Sequence, residues 1–202
     1  MTLPITLAID TAAPRLQLAL LLADGRCDSW VEDAATGHAE ILFDRLAGLL
    51  ARNGVGYADL GRVAVTTGPG SFTGLRIGLS AARGLGLARG LPVLGIPSLL
   101  ALSLGAAGPV AVLLDARRGE AYFQAFSGPG VALGVPRLLP MAAARAAVPP
   151  GSALVQSPFV DIALVARFAA AAAPGDYPPQ AGYVRDADAK PQDAARIPRR
   201  AG

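Results

Sequence analysis

Gly68-Pro69-Gly70-Ser71-Phe72-Thr73-Gly74-Leu75-Arg76-Ile77-Gly78-Leu79 is the stretch on which the reading of the whole chain turns. It follows an apolar strand, Arg62 to Thr67, and reads as a glycine turn running straight into a helix. Pro69 fixes its own φ, while Gly68 and Gly70 give the backbone the freedom a sharp turn needs. Ser71 or Thr73 can cap the helix by accepting from a first-turn N–H. Small residues then recur every fourth position, at Gly74, Gly78, Ala82, Gly86 and Gly90, and so fall on one helix face. An interior glycine costs ~1 kcal/mol relative to alanine, so Gly78, Gly84 and Gly86 weaken the isolated helix by roughly 3 kcal/mol. The expectation is that a second polypeptide lies against this bare stripe and offsets that cost.

Two familiar phosphate loops are excluded. A Walker A loop needs a Lys-Ser/Thr pair after its second glycine, and the stretch holds no lysine. The dinucleotide pattern G-x-G-x-x-G fails because Thr73 stands where the third glycine belongs. An anion site at the helix N-terminus stays open beside the tight-turn reading.

Upstream of the turn, Leu3 to Ile9 is an apolar run ending at Asp10-Thr11. Leu16 to Leu22 and Arg26 to Glu32 follow, the latter after an Asp24-Gly25 turn, so the three predict an antiparallel meander. A helix is predicted from Thr36-Gly37-His38 to about Asn53, with Asn53-Gly54 as its stop. Its apolar residues, from Ala39, Leu42 and Phe43 to Leu49, Leu50 and Ala51, cover an arc of roughly 200° at 100° per residue. A helix on one sheet face needs about half of that, so the surplus implies a second partner. Downstream, Val93 to Ile96 is a strand and Ser98 to about Ala106 a helix. The order β-β-β-α-β-α-β-α is that of one lobe of the duplicated, ribonuclease-H-like actin/Hsp70/hexokinase (ASKHA) fold, here residues 1–106. Residues 107–176 start the pattern again: Val110 to Leu114 ends at Asp115, and Ala121 to Phe126 returns. The repeat then thins into a Gly/Pro-rich stretch, a strand near Val135–Leu139, a helix at Met141–Ala147, a strand at Ala153–Val155 and a helix at Ile162–Ala173. This predicts a shortened second lobe, with residues 177–202 a Pro-rich polar tail that docks in part or frays.

Composition narrows the function classes. At 202 residues, 52% hydrophobic and 16% charged, the chain can bury a sizeable core. The net charge is +3, yet of 18 basic residues only Lys190 is lysine, and no basic block of five or six occurs. A strong nucleic-acid footprint is therefore absent, leaving room for a weak shared contact with a polyanion. Cys27 is alone, without a disulfide partner or a metal-binding Cys/His companion, which points to a reducing cytosol. The N-terminus lacks the basic region of a signal peptide, and no run approaches 18 apolar residues, so a cytoplasmic chain with no membrane contact is expected.

Asp10-Thr11 and Asp115-Ala116-Arg117 occupy the two strand-to-strand turns that hold Mg-nucleotide phosphates in actin-like phosphotransferases. Asp10, Thr11, Asp115 and Arg117 are thus candidate phosphate contacts, and an actin-like small-molecule kinase or ATPase built on Asp10 and Asp115 is an alternative function. The opposing reading is that each Asp braces its own turn. His38 is the one histidine, and the position a turn later is Leu42, so no helical metal site is expected. A serine-hydrolase triad on His38 lacks its acid, and Ser71 lies in P-G-S-F-T-G, outside a G-x-S-x-G elbow. Arg76 and Arg83, seven apart on nearly one face, are either surface charge or partners for acids or phosphates across a contact.

Leu7-Ala8-Ile9-Asp10-Thr11, the glycine string from Gly68 to Gly78, and Leu114-Asp115-Ala116-Arg117-Arg118-Gly119-Glu120 together resemble the TsaB (YeaZ) family. His38-Ala39-Glu40 is similar to that family's helix start, and Tyr183-Val184-Arg185 to its closing motif, with Asp186 where the family has proline. The resemblance implies a non-catalytic subunit of the bacterial complex that makes N6-threonylcarbamoyladenosine (t6A) in tRNA. In that complex a TsaD subunit carries the metal and the transfer chemistry, and a TsaE-like ATPase joins them. It implies contact with tRNA only through the complex, no cofactor of its own, and an open question of ATP or ADP at the partner interface. The expected interface takes His38, Ile41, Leu42, Arg45 and Leu49 from the first helix. From the turn and second helix it takes Gly68, Pro69, Gly70, Ser71, Phe72, Thr73, Gly74, Arg76, Ile77, Gly78, Ala82 and Arg83. The same surface could self-pair into a homodimer. A metallopeptidase, suggested by the naming history of related families, lacks its second histidine.

Overall fold

A computed structural model describes residues 3–34, 37–182 and 184. Three strands open the chain: β1 (Thr6–Asp10), β2 (Arg15–Leu21) and β3 (Cys27–Asp33), joined antiparallel. Helix α1 (His38–Arg52) leads through a 3-10 turn at Tyr57–Asp59 to β4 (Arg62–Thr66), which pairs parallel with β1. Helix α2 (Phe72–Arg89) returns the chain to β5 (Val93–Ile96), parallel to β4, and α3 (Ser98–Ser103) follows. The first sheet therefore runs β3-β2-β1-β4-β5.

The second sheet is built from β6 (Val110–Arg117), β7 (Glu120–Gly128), β8 (Val131–Ala132), β9 (Arg137–Pro140) and β10 (Ala153–Val155), with α4 (Met141–Ala146) between the last two strands. Its order is β10-β6-β7-β8, with β9 also pairing on β7. Helix α5 (Ile162–Ala171) closes the regular structure. The short strand expected near Val135–Leu139 is β9, and β8 is a further two-residue strand before it, the Gly/Pro-bearing stretch between them leaving the ladder.

Strand alternation sorts side chains into three cores. Leu7 and Ile9 of β1, Leu16, Leu18 and Leu20 of β2, and Val63 and Val65 of β4 point to the outer face, under α1 and α2. Ala8, Ala19, Leu21 and Ala64 point the other way, joining Leu94 and Ile96, the helices α3 and α5, and Val110, Val112 and Leu114 of β6. Ala111 and Leu113 turn to the far side, where Ala144 of α4 covers them. The result is five layers: α1 and α2, the first sheet, α3 and α5, the second sheet, and α4. This is the actin/Hsp70-like fold, with two helices packed between its sheets. Arg62 at the start of β4 ties the layers together by donating from Nη1 to Ala169 O and, at 2.9 Å, to Ala172 O at the end of α5.

Candidate functional site

The glycine turn lies directly on the β1–β2 turn. Ser71 caps α2, its Oγ accepting from Gly74 N at 3.2 Å, and Ser71 N donates to Ala12 O at 2.7 Å. Gly68 has φ +104°, which suits glycine, and pairs with Ser98 in both directions. A Cβ on Gly74 would stand 1.9 Å from Thr11 O, and one on Gly78 would stand 2.6 Å from Thr11 Oγ1 and 3.3 Å from Val65 Cγ2. Ala82 is fully buried, and a Cβ on Gly86 would meet Val93 Cγ2 at 2.3 Å. The bare stripe thus packs on the chain's own β1, β4 and β5, which corrects the expectation that a second polypeptide covers it. Close approach of α2 to the sheet end is what the missing side chains permit.

The rows beside the stripe face away from the sheet and meet α1. Between the two helices lies an open apolar groove of about 750 Å³. Helix α1 contributes Ala39, Leu42 and Phe43, and α2 contributes Phe72, Ile77, Ala81, Gly84 and Leu85, with Thr73, Arg76 and Ser80 as its polar members. Phe43 is 50% exposed and Phe72 54%, unusual for aromatic side chains with a core within reach. The Arg76 guanidinium sits 3.8 Å over the Phe72 ring, so the ring enters the groove wall under a cation. The wide apolar arc of α1 is divided accordingly. Leu46, Leu49 and Leu50 pack on the sheet, while Ala39 and Phe43 face the groove with Leu42 as its floor.

The remaining interface candidates are spread over several settings. Leu49, Gly68 and Pro69 are buried within the chain, and so is His38, whose Nε2 has no hydrogen-bond partner among the described residues. Ile41 is half-buried. Arg45 pairs with Glu32 through Nε at 2.6 Å, which holds the Glu32 carboxyl below its ordinary range. Gly70 and Ser71 are exposed at the turn. Arg83 donates to Pro179 O, away from the groove. The expected interface left out Ala39, Phe43, Ser80, Ala81, Gly84 and Leu85, which line the groove. On α2 their signal was present, since Thr73, Ile77, Ala81 and Leu85 form one row of four-residue spacing beside the glycine row, and Phe72, Arg76, Ser80 and Gly84 form another.

A second cavity, of about 530 Å³, lies between the lobes and is lined by Asp10, Ser71, Ser98, Asp115, Arg117 and Tyr122 among others. Asp10 is buried at its edge. Its Oδ1 accepts from Thr66 Oγ1 at 2.5 Å and Ala12 N at 3.1 Å, and its Oδ2 from Gln17 Nε2 at 3.0 Å. Burial pushes the Asp10 carboxyl up from its ordinary value, against these hydrogen bonds. Thr11 Oγ1 donates to Gly74 O at 2.7 Å. Asp115 is exposed, and its Oδ1 accepts from Arg117 N at 2.8 Å, bracing a turn in which Arg117 and Arg118 have φ 66° and 55°. Asp10, Asp115 and Arg117 line the cleft while Thr11 is buried against α2, but the aspartates brace backbone turns and Asp10 has both oxygens already engaged. Among the described residues, no cluster of three or more His, Cys, Asp or Glu side chains is placed to hold a metal. No described helix is long and apolar enough to cross a membrane.

Comparison with known proteins places this geometry. Residues 32–134 match the family model described as TsaD, tRNA N6-adenosine threonylcarbamoyltransferase. The chain is 36% identical over 122 residues to the tRNA threonylcarbamoyladenosine biosynthesis protein TsaB of Escherichia coli, covering 58% of this chain and 52% of that one. It is 37% identical over 150 residues to an uncharacterized protein of Mycobacterium tuberculosis, covering 73% and 69%. The match thus spans about half the length of the Escherichia coli TsaB relative. Among solved structures, YeaZ from Pseudomonas aeruginosa superposes with a TM-score of 0.70 at 26% identity, covering 81% of this chain and 89% of that one. A second Pseudomonas aeruginosa structure, described as similar to peptidase YeaZ, gives 0.73 at 27% identity, covering 82% and 90%. The closing Tyr183-Val184-Arg185 string lies, but for Val184, outside the described residues. The fold, the glycine string and these matches together establish that the chain belongs to the TsaB (YeaZ) family.

Proposed function

We propose that this chain is a non-catalytic subunit of the assembly that makes N6-threonylcarbamoyladenosine in tRNA, and that it docks a TsaD-like catalytic subunit through the α1–α2 groove. The observation that carries this is the groove itself, an apolar hollow with two half-exposed phenylalanines on its walls. Exposed apolar patches of this kind mark protein contacts, and buried aromatic anchors dominate their energetics. The choice of occupant rests on kinship: residues 32–134, which include both groove helices, match a family model described as a tRNA threonylcarbamoyltransferase, and this supports a partner with a related helix pair. Two such pairs can close into a four-helix packing about a pseudo-two-fold axis. Without the partner, a second copy of this chain can take the same place.

The non-catalytic reading is supported by Asp10, whose oxygens are held by Thr66, Gln17 and Ala12, and by the lone, buried His38. A TsaE-like ATPase joins the pair, tRNA is reached through the assembly, and any ATP or ADP sits at a subunit boundary. A pull-down from the native host with mass spectrometry tests this. Recovery of TsaD-like and TsaE-like chains supports the reading, and recovery of neither contradicts it.

A further inference from the structure

Beyond α5 the chain makes a 3-10 turn at Pro174–Asp176 and then crosses back over the first lobe. Tyr177 packs edge-on against Phe168 of α5, ring centroids 5.4 Å apart, and its carbonyl accepts from Gly95 N of β5 at 2.8 Å. Pro179 O accepts from Arg83 of α2, through Nε at 2.8 Å and also through Nη2. Ala181 packs on the outer core beneath α1 and α2. Gly182 N donates to Thr67 O at 2.8 Å, and Gly182 O lies 3.1 Å from where a Cβ on Gly68 would stand. One short run thus touches α5, β5, α2 and the entry to the glycine turn.

The crossing needs residue 95 to lack a side chain. A Cβ there would stand 2.5 Å from Pro178 O, 2.8 Å from Pro179 Cα and 2.7 Å from Thr67 Cγ2. Two of these neighbours are backbone, which cannot yield by a rotamer change. A glycine in the middle of a strand marks such an approach.

We propose that Tyr177–Gly182 is a positioning strap that holds α2 and the glycine turn in the geometry the docking groove requires. This rests on the reading of the groove as the partner site. The N-terminal turn of α2 is held from one side by Thr11 and Ala12, and the turn before it by Ser98 and by the strap. Releasing the strap frees Gly68 and Arg83 together, so α2 can shift against α1 and the groove loses its shape. Because the strap begins at α5, it also makes the groove sensitive to how that helix sits.

The test uses the full chain carrying Gly95→Ala and, separately, Arg83→Ala, which removes two donors without introducing a clash. Amide hydrogen exchange is read at Gly182, Ser71, Ser98 and the middle of α2, and calorimetry measures affinity for the TsaD-like subunit. The expected result is lost protection at Gly182, faster exchange at Ser71 and Ser98, an unchanged mid-helix, and roughly tenfold weaker partner binding. Release of Gly182 with Ser71, Ser98 and affinity at wild-type levels would overturn the proposal, as would full protection of Gly182 in both variants. Failure of the wild-type chain to bind the catalytic subunit would instead sink the docking reading, and exchange at Ser71 and Ser98 would still decide the strap.

Discussion

Thr11 and Gly74 lock the end of the first sheet to the start of α2. The Thr11 hydroxyl donates to Gly74 O at 2.7 Å, and the Thr11 carbonyl occupies the space a side chain on residue 74 would need. The glycines of α2 therefore differ sharply in what they tolerate. Gly74→Ala must push backbone against backbone and is expected to cost at least about 3 kcal/mol. Outside its chain neighbours and its own helix backbone, no heavy atom of the described residues lies within 4 Å of where a Cβ on Gly84 would stand, so Gly84→Ala should gain roughly 1 kcal/mol of helix propensity and about 2–4 °C in Tm. Thermal unfolding of the two variants checks both, and equal effects would mean that the packing described is wrong.

Asp10 gives a pH prediction. Burial raises its folded carboxyl above its ordinary value of 3.8, so the native state holds that proton more tightly than the unfolded chain. The favourable contribution is complete below the ordinary value and is lost as pH rises through the folded one. Relative to wild type, Asp10→Asn should therefore gain stability on going from below pH 3.8 to neutrality. Urea unfolding of both proteins across that range measures the difference. A difference that is flat or falls with rising pH would remove the buried-charge account, and loss of partner binding in a folded Asp10→Asn chain would reopen a direct role for the cleft.

Arg62 bridges the layers through two carbonyls at the end of α5, while its buried Nε finds no partner among the described residues. Arg62→Ala removes a charged donor from these carbonyls and should cost about 2 kcal/mol. Arg62→Lys keeps a cation within reach and discards the unpaired N–H, so it should cost less. Chemical denaturation ranks the pair, and a lysine variant as weak as the alanine one would show that the bridge does not depend on charge.

Much of the first lobe is legible because its signals are local. Alternating Leu7, Ile9, Leu18 and Leu20 against Ala8 and Ala19 reports a sheet covered on both faces. Ser71 before Phe72 marks a helix start that the structure caps as expected. The glycine stripe was harder, since a period of four shows that a face is bare without saying which backbone fills it. Here the sheet end fills it, and the apolar hollow lies one row over, on Ile77, Ala81 and Leu85. The crossing at Tyr177–Gly182 has no periodicity at all, and Gly95 in the middle of a strand was its one local trace. The edge at β8 and β9 was blurred for the same reason, because Gly and Pro interrupt the alternation that reveals a strand.

Gly84→Arg provides the most direct test of the groove as docking site. Residue 84 is exposed and lines the hollow, so an arginine there fills the partner's space without touching the fold. Leu87→Arg, on an 89% exposed residue that does not line the groove, is the control. Isothermal calorimetry against the TsaD-like subunit should show wild-type affinity for Leu87→Arg and a loss of at least about a hundredfold for Gly84→Arg, with both variants folded. A folded Gly84→Arg chain that binds the catalytic subunit as tightly as the wild type would contradict the account.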